Sequence, residues 1–264
     1  MNNISFVKLL KAWLVVITLT LASTFSSAAA SADAPASLAD VWKMVPNDGQ
    51  TEKFEAAFQK HLKFRIKQQD PRQWQTYKPV IGSDLTFYII RSCCFNWSDL
   101  DSYQQWSEQA KVMEHWNNHV APFVHRYEHY FSELDFANSH WPEENHDFRY
   151  FAVTEYRAKM GKNASITEGK RSLSAYAKAM KWPFYWSWGE QVGGKGGLSL
   201  VVPYKSYADM APPEVSFYQA IANHLKDDEK TQTLFSQWSS NFKATHYTVY
   251  EMRADLSMHK PNKQ

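Results

Sequence analysis

Two stretches of this chain show the same order of secondary structure, a helix followed by a strand. This repetition constrains the fold more than any other feature of the sequence. Residues 115–135 run from the end of a helix, through Pro122, into a strand of alternating character. Residues 237–257 repeat this order near the other end of the chain. In the first stretch proline ends the helix, and in both stretches an alternating run after the helix indicates a half-buried strand, so each stretch closes a module. The sequence therefore predicts two copies of one module.

The first half predicts the element order β-α-β-β-α-β. Short apolar or alternating runs between turn residues indicate its strands, and apolar residues three to four positions apart indicate its helices. The predicted elements are a strand at 40–45, a helix at 51–69, strands at 73–80 and 85–94, a helix at 100–119 and a strand at 124–133.

The second half repeats this order of elements, although its amino-acid identity to the first half is low. Its predicted elements are a strand at 147–157, a helix opened by a capping box at 165–168, strands at 183–190 and 198–204, helical segments from 212 to 241 broken at Asp227-Asp228, and a strand at 246–254. The predicted modules are residues 38–137 and 146–257, joined by a linker at 138–145 that contains Pro142.

This element order resembles the dimeric α/β-barrel superfamily, whose unit is a ferredoxin-like βαββαβ fold. The resemblance implies an α+β protein in which two tandem modules form one pseudo-dimeric α/β barrel, with helices outside the sheet. Superfamily members include cofactor-free monooxygenases, haem-degrading enzymes, chlorite-dismutase-like haem proteins and domains without known activity. Because the likeness rests on element order alone, it does not transfer a function.

The first 32 residues are typical of a signal peptide. Lys8 and Lys11 precede an apolar run at residues 12–22, and Ala30-Ser31-Ala32 offers a cleavage site. The run is shorter than the roughly 20 residues that span a bilayer, so a retained membrane anchor is the less favoured alternative. We therefore expect a periplasmic or secreted protein, cleaved near Ala32.

Charge argues against nucleic acid as a partner. The whole chain has 29 Lys and Arg against 27 Asp and Glu, and two of the lysines lie in the predicted signal peptide. Removal of that peptide leaves a formally neutral protein, whereas binding to a phosphate backbone needs a basic face.

The chain has two cysteines, Cys93 and Cys94, which are adjacent. Across a trans peptide their Cα atoms would lie about 3.8 Å apart, below the usual disulfide range, and on a strand their side chains would point to opposite faces. Two separate thiols are therefore the favoured interpretation, with a disulfide between neighbours as the alternative. Cysteine pairs typical of a structural zinc site are absent from the sequence.

Imidazole and hydroxyl side chains alternate along the last predicted strand of each half. The rows are His125, Tyr127 and His129 in the first half, and His246, Thr248 and Tyr250 in the second. Alternate residues of a strand share one face, so both rows can look into a common barrel cavity. A surface-facing strand, or core histidines that are merely hydrogen-bonded, is the alternative.

Aromatic residues make up 16% of the chain, which has 11 tryptophans. Trp186 and Trp188 share one face of a predicted strand with Phe184. A flat aromatic wall of this kind suits an apolar or aromatic ligand, and ordinary core packing is the equally weighted alternative.

Four polar side chains fall on the two helices of the first half. His61 and Arg65 lie in the apolar stripe of the first helix, so we expect a buried pair with an acidic or carbonyl partner. His115 and His119 have the i,i+4 spacing of metal ligands, but helical phase places them opposite the apolar stripe. An exposed, solvated pair is therefore expected, and a metal site is not.

The function favoured by these patterns is binding of a small apolar or aromatic molecule in the barrel, without a cofactor. The candidate ligand-binding residues are His125, Tyr127, His129, Trp186, Trp188, His246 and Tyr250. One alternative is an enzyme, either a haem protein with His224 as axial ligand or a cofactor-free monooxygenase with Tyr127, His125 or Trp186 near the substrate. Another is a protein-interaction module, and pairing into a homodimer through the outer helices stays open.

Overall fold

The computed structural model describes residues 35–142 and 147–258. The predicted signal peptide and residues 143–146 of the predicted linker lie outside the described residues. The first half contains β1 (Leu38–Pro46), α1 (Thr51–Lys67), β2 (Trp74–Ile81), β3 (Tyr88–Phe95), α2 (Asp99–Gln109), α3 (Val112–His119) and β4 (Val124–Leu134). The second half contains β5 (Tyr150–Ala158), α4 (Asn163–Ala179), β6 (Ser187–Val192), β7 (Leu198–Tyr204), α5 (Phe217–Leu225), α6 (Asp228–Ser240) and β8 (Phe242–Met252).

The strands close into one antiparallel barrel in the order β1-β3-β2-β8-β5-β7-β6-β4. Within each half the spatial order is fourth, first, third and second strand, which is the ferredoxin-like arrangement. The two halves join at β2–β8 and at β4–β6, so each half covers the sheet edges that the other leaves open. This confirms the predicted α+β class, with two tandem ferredoxin-like modules in one barrel.

The outer face of the first half carries its hydrophobic core. Trp74, Tyr88 and Ile90 point outward from β2 and β3 and pack against Phe54 and Phe58 of α1. Since side chains alternate along a strand, their neighbours in sequence point into the barrel. The same division holds in the second half, where Leu198 of β7 packs outward beneath the helices.

The helix predicted at residues 100–119 is two helices. Lys111 adopts a left-handed conformation, with φ of 54°, between α2 and α3. This residue resets the helical phase, so a face assigned from one continuous helix does not hold beyond it. α4 also differs from the prediction, since it begins at Asn163 without a side-chain cap, whereas a capping box does open α5 at Ser216 and Gln219.

The end of the second half packs back onto the first. Leu256 and Met258 are buried in the core of the first half. The Met258 amide donates to the Trp74 carbonyl at 2.7 Å, and the Thr76 hydroxyl donates to the Leu256 carbonyl at 2.6 Å. Arg253 binds both carboxylate oxygens of Glu55 on α1. These contacts tie the two modules together beyond the barrel itself.

Cys93 and Cys94 are joined by a disulfide between neighbours, and the described residues contain no free cysteine. The favoured interpretation of two separate thiols is therefore wrong. The peptide bond between the two residues is cis, and their Cα atoms lie 3.0 Å apart, so the trans geometry assumed from the sequence does not apply.

Among the described residues, no helix is long and apolar enough to cross a bilayer.

Candidate functional site

Two residues of the predicted first-half row, Tyr127 and His129, lie on the outer face of the barrel and not in its lumen. In register, Trp42 of β1 opposes His129 of β4, and Trp42 packs against the first core. His129 stacks on Trp42, and the Trp116 indole donates to the Tyr127 hydroxyl at 3.2 Å, from α3. The lumen prediction is wrong for these two, because alternation defines a shared face without saying which face it is. His125 is exposed and lies where the register of β4 against β1 shifts, so alternation does not assign its face.

The row of the second half does face the lumen. Val249 is buried in an outer cluster with Tyr150 and Ala152, so Thr248 and Tyr250 point the other way. Burial is the main cause that raises the pKa of the Tyr250 hydroxyl, and the Phe87 ring contacts the Tyr250 ring. His246 follows the same alternation near the exposed end of β8.

Trp186 and Trp188 belong to the core of the second half. The Trp188 indole donates to the Ser174 hydroxyl at 3.1 Å on α4, and the Trp186 indole donates to the Asn138 carbonyl at 2.8 Å. Both rings are buried. Their faces are covered by neighbouring side chains, so the core-packing interpretation holds and the predicted ligand wall at these two residues is wrong.

A histidine held by a buried carboxylate stands on the outer face of β1 and β4. His129 Nε2 lies 3.0 Å from Asp40 Oδ1, and Arg72 Nη1 donates to Asp40 Oδ2 at 2.6 Å. Because a carboxylate only accepts, Nε2 of neutral His129 carries the hydrogen, and Nδ1 keeps its lone pair. The His129 side chain is 37% exposed, whereas the Asp40 side chain is 9% exposed. Asp40 therefore orients an imidazole whose other nitrogen can act on a ligand.

Arg72 fixes the position of that carboxylate. Its guanidinium lies between the rings of Phe95, at 3.9 Å, and Tyr103, at 3.6 Å. Sequence reasoning missed both Asp40 and Arg72. The available signal was the carboxylate of Asp40 in a largely apolar strand, because a buried carboxylate needs a cationic partner.

Aromatic rings surround this imidazole. We use the name aromatic wall for Trp42, Tyr127, His129 and Phe131, which share the outer face of β1 and β4. The Trp42 and His129 rings stack with centroids 4.0 Å apart, and Phe131 meets His129 edge-on at 5.2 Å. Trp97, which is 51% exposed, extends the wall beyond Phe131 at 5.5 Å. Such a surface offers stacking area to a planar molecule, with a proton acceptor beside it.

A second histidine cluster lies between α1, which carries His61, and α3, which carries His115. Arg65 Nε donates to His61 Nε2 at 2.9 Å, so His61 carries its hydrogen on Nδ1, which lies 3.0 Å from His115 Nδ1. Arg65 also donates to Asp70 at 2.6 Å and to the Tyr103 hydroxyl at 2.9 Å. The expected acidic partner of Arg65 is thus present. His115 is half-buried rather than fully solvated, as the reset helical phase after Lys111 requires.

Burial and the nearby Arg65 cation lower the pKa of His61 to about 2, so this imidazole stays neutral. Burial also lowers the pKa of His115. Both nitrogens of His61 are already hydrogen-bonded, so neither is available as a ligand. Within residues 35–142 and 147–258, no group of three or more His, Cys, Asp or Glu side chains is arranged to hold a metal ion.

The second half does not fit a haem bound through His224. His224 is exposed on α5, with its ring near Tyr176, and the apolar cluster between sheet and helices contains no histidine among the described residues. That cluster is tightly packed, since a Cβ added at Gly169 would lie 2.7 Å from the Trp238 ring. A flat macrocycle would have to displace these rings.

An open groove of about 810 Å³ runs along the β2–β8 seam. Most of its charged groups are paired: Arg149 binds Glu251, and Arg253 binds Asp255 and also Glu55 of α1, while Lys78 and Asp147 at the lining carry opposite charges. These pairs leave little unmatched charge to attract a ligand, so the aromatic wall is the stronger candidate site.

Comparison with known proteins finds no matching family model and no matching curated protein. Solved structures match at low identity. A candidate monooxygenase from Lactobacillus acidophilus is 8% identical, with 84% of this chain and 95% of that chain covered and a TM-score of 0.52. A candidate monooxygenase from Fusobacterium nucleatum is 9% identical, with 82% and 92% covered and a TM-score of 0.51.

A variant chlorite dismutase from Candidatus Nitrospira defluvii, in complex with cyanide, is 10% identical, with 84% and 93% covered and a TM-score of 0.50. Identities this low establish the fold and not the activity. The chain therefore has the dimeric α/β-barrel fold, with both ferredoxin-like modules carried by one polypeptide.

Proposed function

We propose that this protein binds a small planar aromatic molecule at the aromatic wall and that His129 takes a proton from its ionisable hydroxyl group. One observation carries the proposal: the His129 imidazole is stacked on Trp42, is oriented by buried Asp40 and has a side chain that is 37% exposed. This retains the predicted class of ligand but places it on the outer wall of the first module rather than in the lumen.

Three features support this proposal. The Asp40–His129 hydrogen bond fixes the ring and stabilises the imidazolium that proton transfer would produce. The partly exposed Phe131 ring and the exposed Trp97 ring supply aromatic stacking contacts in addition to the apolar area that a ligand would bury. The Arg72 guanidinium holds Asp40 in place, so the hydrogen-bonded pair of Asp40 and His129 needs little reorganisation when a ligand binds.

A monooxygenase without a cofactor is the enzymatic form of this proposal. Such an enzyme has to draw its electrons from the substrate, and loss of a hydroxyl proton makes an aromatic substrate more electron-rich. Two fold neighbours described as candidate monooxygenases make this class worth testing. Uptake of dissolved oxygen in the presence of a hydroxylated aromatic, abolished in His129→Gln, would support it.

His129→Gln tests the binding proposal with 7-hydroxycoumarin, whose phenol and phenolate forms absorb at different wavelengths. The wild-type protein is expected to bind this probe and, at constant pH, to shift its absorbance toward phenolate. His129→Gln is expected to weaken binding about tenfold and to abolish the shift, because the proton acceptor is lost. Absorbance titration measures both quantities.

His125→Gln is the matched control, since His125 is an exposed histidine on the same strand, β4, and lies away from Asp40. It should behave like wild type. Equal binding by wild type and His129→Gln would refute the proposal. Concentration-dependent self-association without any probe binding, seen by sedimentation, would instead favour the interaction-module alternative and a homodimer.

We also propose that the protein is exported, on the strength of the charged and apolar segments before Ala32. The mass of the protein recovered from the periplasmic fraction of a Gram-negative host should correspond to a chain beginning at Asp33. Recovery of only the full-length chain, in the cytoplasmic or membrane fraction, would contradict export.

A further inference from the structure

An arginine points into the barrel lumen from the middle of β3. Arg91 opposes Val41 on one side and Gln75 on the other, and Val41 in turn opposes Tyr130 of β4. Residues directly opposite in register share a face of the sheet. Ile90, the neighbour of Arg91, is buried in the outer core. The row of Tyr130, Val41, Arg91 and Gln75 therefore crosses the inner wall.

Among the described residues, the Arg91 guanidinium has no partner of opposite charge, since none of the ion pairs and none of the side-chain hydrogen bonds includes it. The ionisable groups whose charge acts on Arg91 are the hydroxyls of Tyr77 and Tyr130. Burial lowers its pKa. Arg91 is half-buried, and a cation that is partly removed from water without a counter-ion is costly, with its N–H donors unused.

The surroundings of Arg91 define what a counter-ion would meet. The Tyr77 hydroxyl donates to Gln75 Oε1 at 3.0 Å, which leaves the Gln75 amide hydrogens free to donate. The Phe151 ring meets the Tyr77 ring edge-on at 5.1 Å, and Ile89 lies next to Arg91 on the same face of β3. Hydrogen-bond donors and apolar side chains therefore lie next to each other around Arg91 on the inner wall of the barrel.

We propose that the barrel lumen binds a small monocarboxylate, with its carboxylate on Arg91 and its short apolar body toward Ile89 and Phe151. A planar carboxylate matches the guanidinium fork in a bidentate pair, which a spherical ion does not. Glu155 also faces this lumen, and its charge acts on Tyr130 and Tyr250, so a second negative charge on the ligand would be repelled. Barrels of eight strands, as here, include some whose interior holds one small ligand.

Calorimetric titration of the full mature chain with sodium butyrate, in a buffer free of other carboxylates, tests this site. Butyrate has no ring and cannot stack on the aromatic wall, so the result is independent of the function proposed for His129. Wild type is expected to bind butyrate and to gain thermal stability from it. Arg91→Met should weaken binding at least about tenfold and remove the thermal gain, because Met keeps the volume without the charge.

Arg171→Met is the matched control, because Arg171 is exposed on α4 and pairs only with Glu168 in the same helix. It should bind butyrate like wild type. Arg91→Met without butyrate should melt higher than wild type, since an unpaired, half-buried charge is removed. Should Arg91→Met fail to fold, Arg91→Lys still decides, because it keeps the charge but loses the fork and should bind several-fold more weakly. Absence of butyrate binding by wild type, or unchanged affinity in these Arg91 variants, would overturn the proposal.

Discussion

Lowering the pH from 7 to 5 is expected to reduce the free energy of unfolding by about 2 kcal/mol through His61 alone. Folded His61 stays neutral, because burial and Arg65 lower its pKa to about 2, whereas the unfolded imidazole takes up a proton near pH 6.5. The unfolded state therefore binds more protons across this range, and stability falls as the pH falls. Urea unfolding at a series of pH values measures the slope.

Between pH 7 and 5, the expected loss of stability comes from the histidine and not from the carboxylates. The lowered pKa values of Glu55 and Asp255 add their own loss of stability only at more acidic pH, because these groups titrate near pH 4 when unfolded. His61→Gln should be less stable at pH 7 but should lose clearly less between pH 7 and 5. His125→Gln, which removes an exposed imidazole, should keep the wild-type slope. An unchanged slope in His61→Gln would show that another group is responsible.

Replacing Asp70 with Asn is expected to cost about 3 kcal/mol of stability or more. The Asp70 side chain is fully buried, and it accepts hydrogen bonds from Arg65 at 2.6 Å and from the Trp74 indole at 3.1 Å. Asn keeps the shape but removes the charge that neutralises Arg65, whose side chain is 15% exposed. Equilibrium unfolding in urea at pH 7 measures the loss.

Glu168→Gln is the control for this charge removal, because Glu168 forms an exposed i,i+3 pair with Arg171. It should change stability by less than about 0.5 kcal/mol. Arg65→Met in the Asp70→Asn background should recover part of the loss, since it removes the charge left unpaired. If Asp70→Asn lies within about 1 kcal/mol of wild type, the ion pair contributes little and the structural interpretation of this cluster is wrong.

The aromatic wall shows how far sequence patterns can locate a site. Alternation grouped His125, Tyr127 and His129 on one face. The structure keeps Tyr127 and His129 on one face, but the alternation breaks at His125, where the register of β4 against β1 shifts. Alternation could not say that this face looks outward, because a barrel strand has apolar surroundings on both sides and the pattern is unchanged when the two sides are exchanged. The row containing Tyr250 had the same pattern and faces the lumen.

The contacts of Asp40 with His129 and Arg72 could not be predicted from local sequence patterns, for a different reason. Asp40 and His129 are 89 positions apart, and Asp40 and Arg72 are 32 apart. Their meeting depends on the register of β1 against β4 and on the path of the chain after α1. Similarly, one left-handed residue at Lys111 turned His115 toward His61, which no continuous helical phase allows.

By itself, the sequence determined the order of helices and strands and their duplication, because hydrophobic periodicity, proline and turn residues act over a few neighbouring positions. The barrel was implied by the resemblance of that order to the dimeric α/β-barrel superfamily, and the structure confirms it. Only the tertiary structure decided which face of each strand meets solvent, which imidazole nitrogen carries the hydrogen, and that Arg91 lacks a counter-charge. Those properties depend on desolvation and ion pairing between residues far apart in the chain, and only the assembled barrel sets their distances.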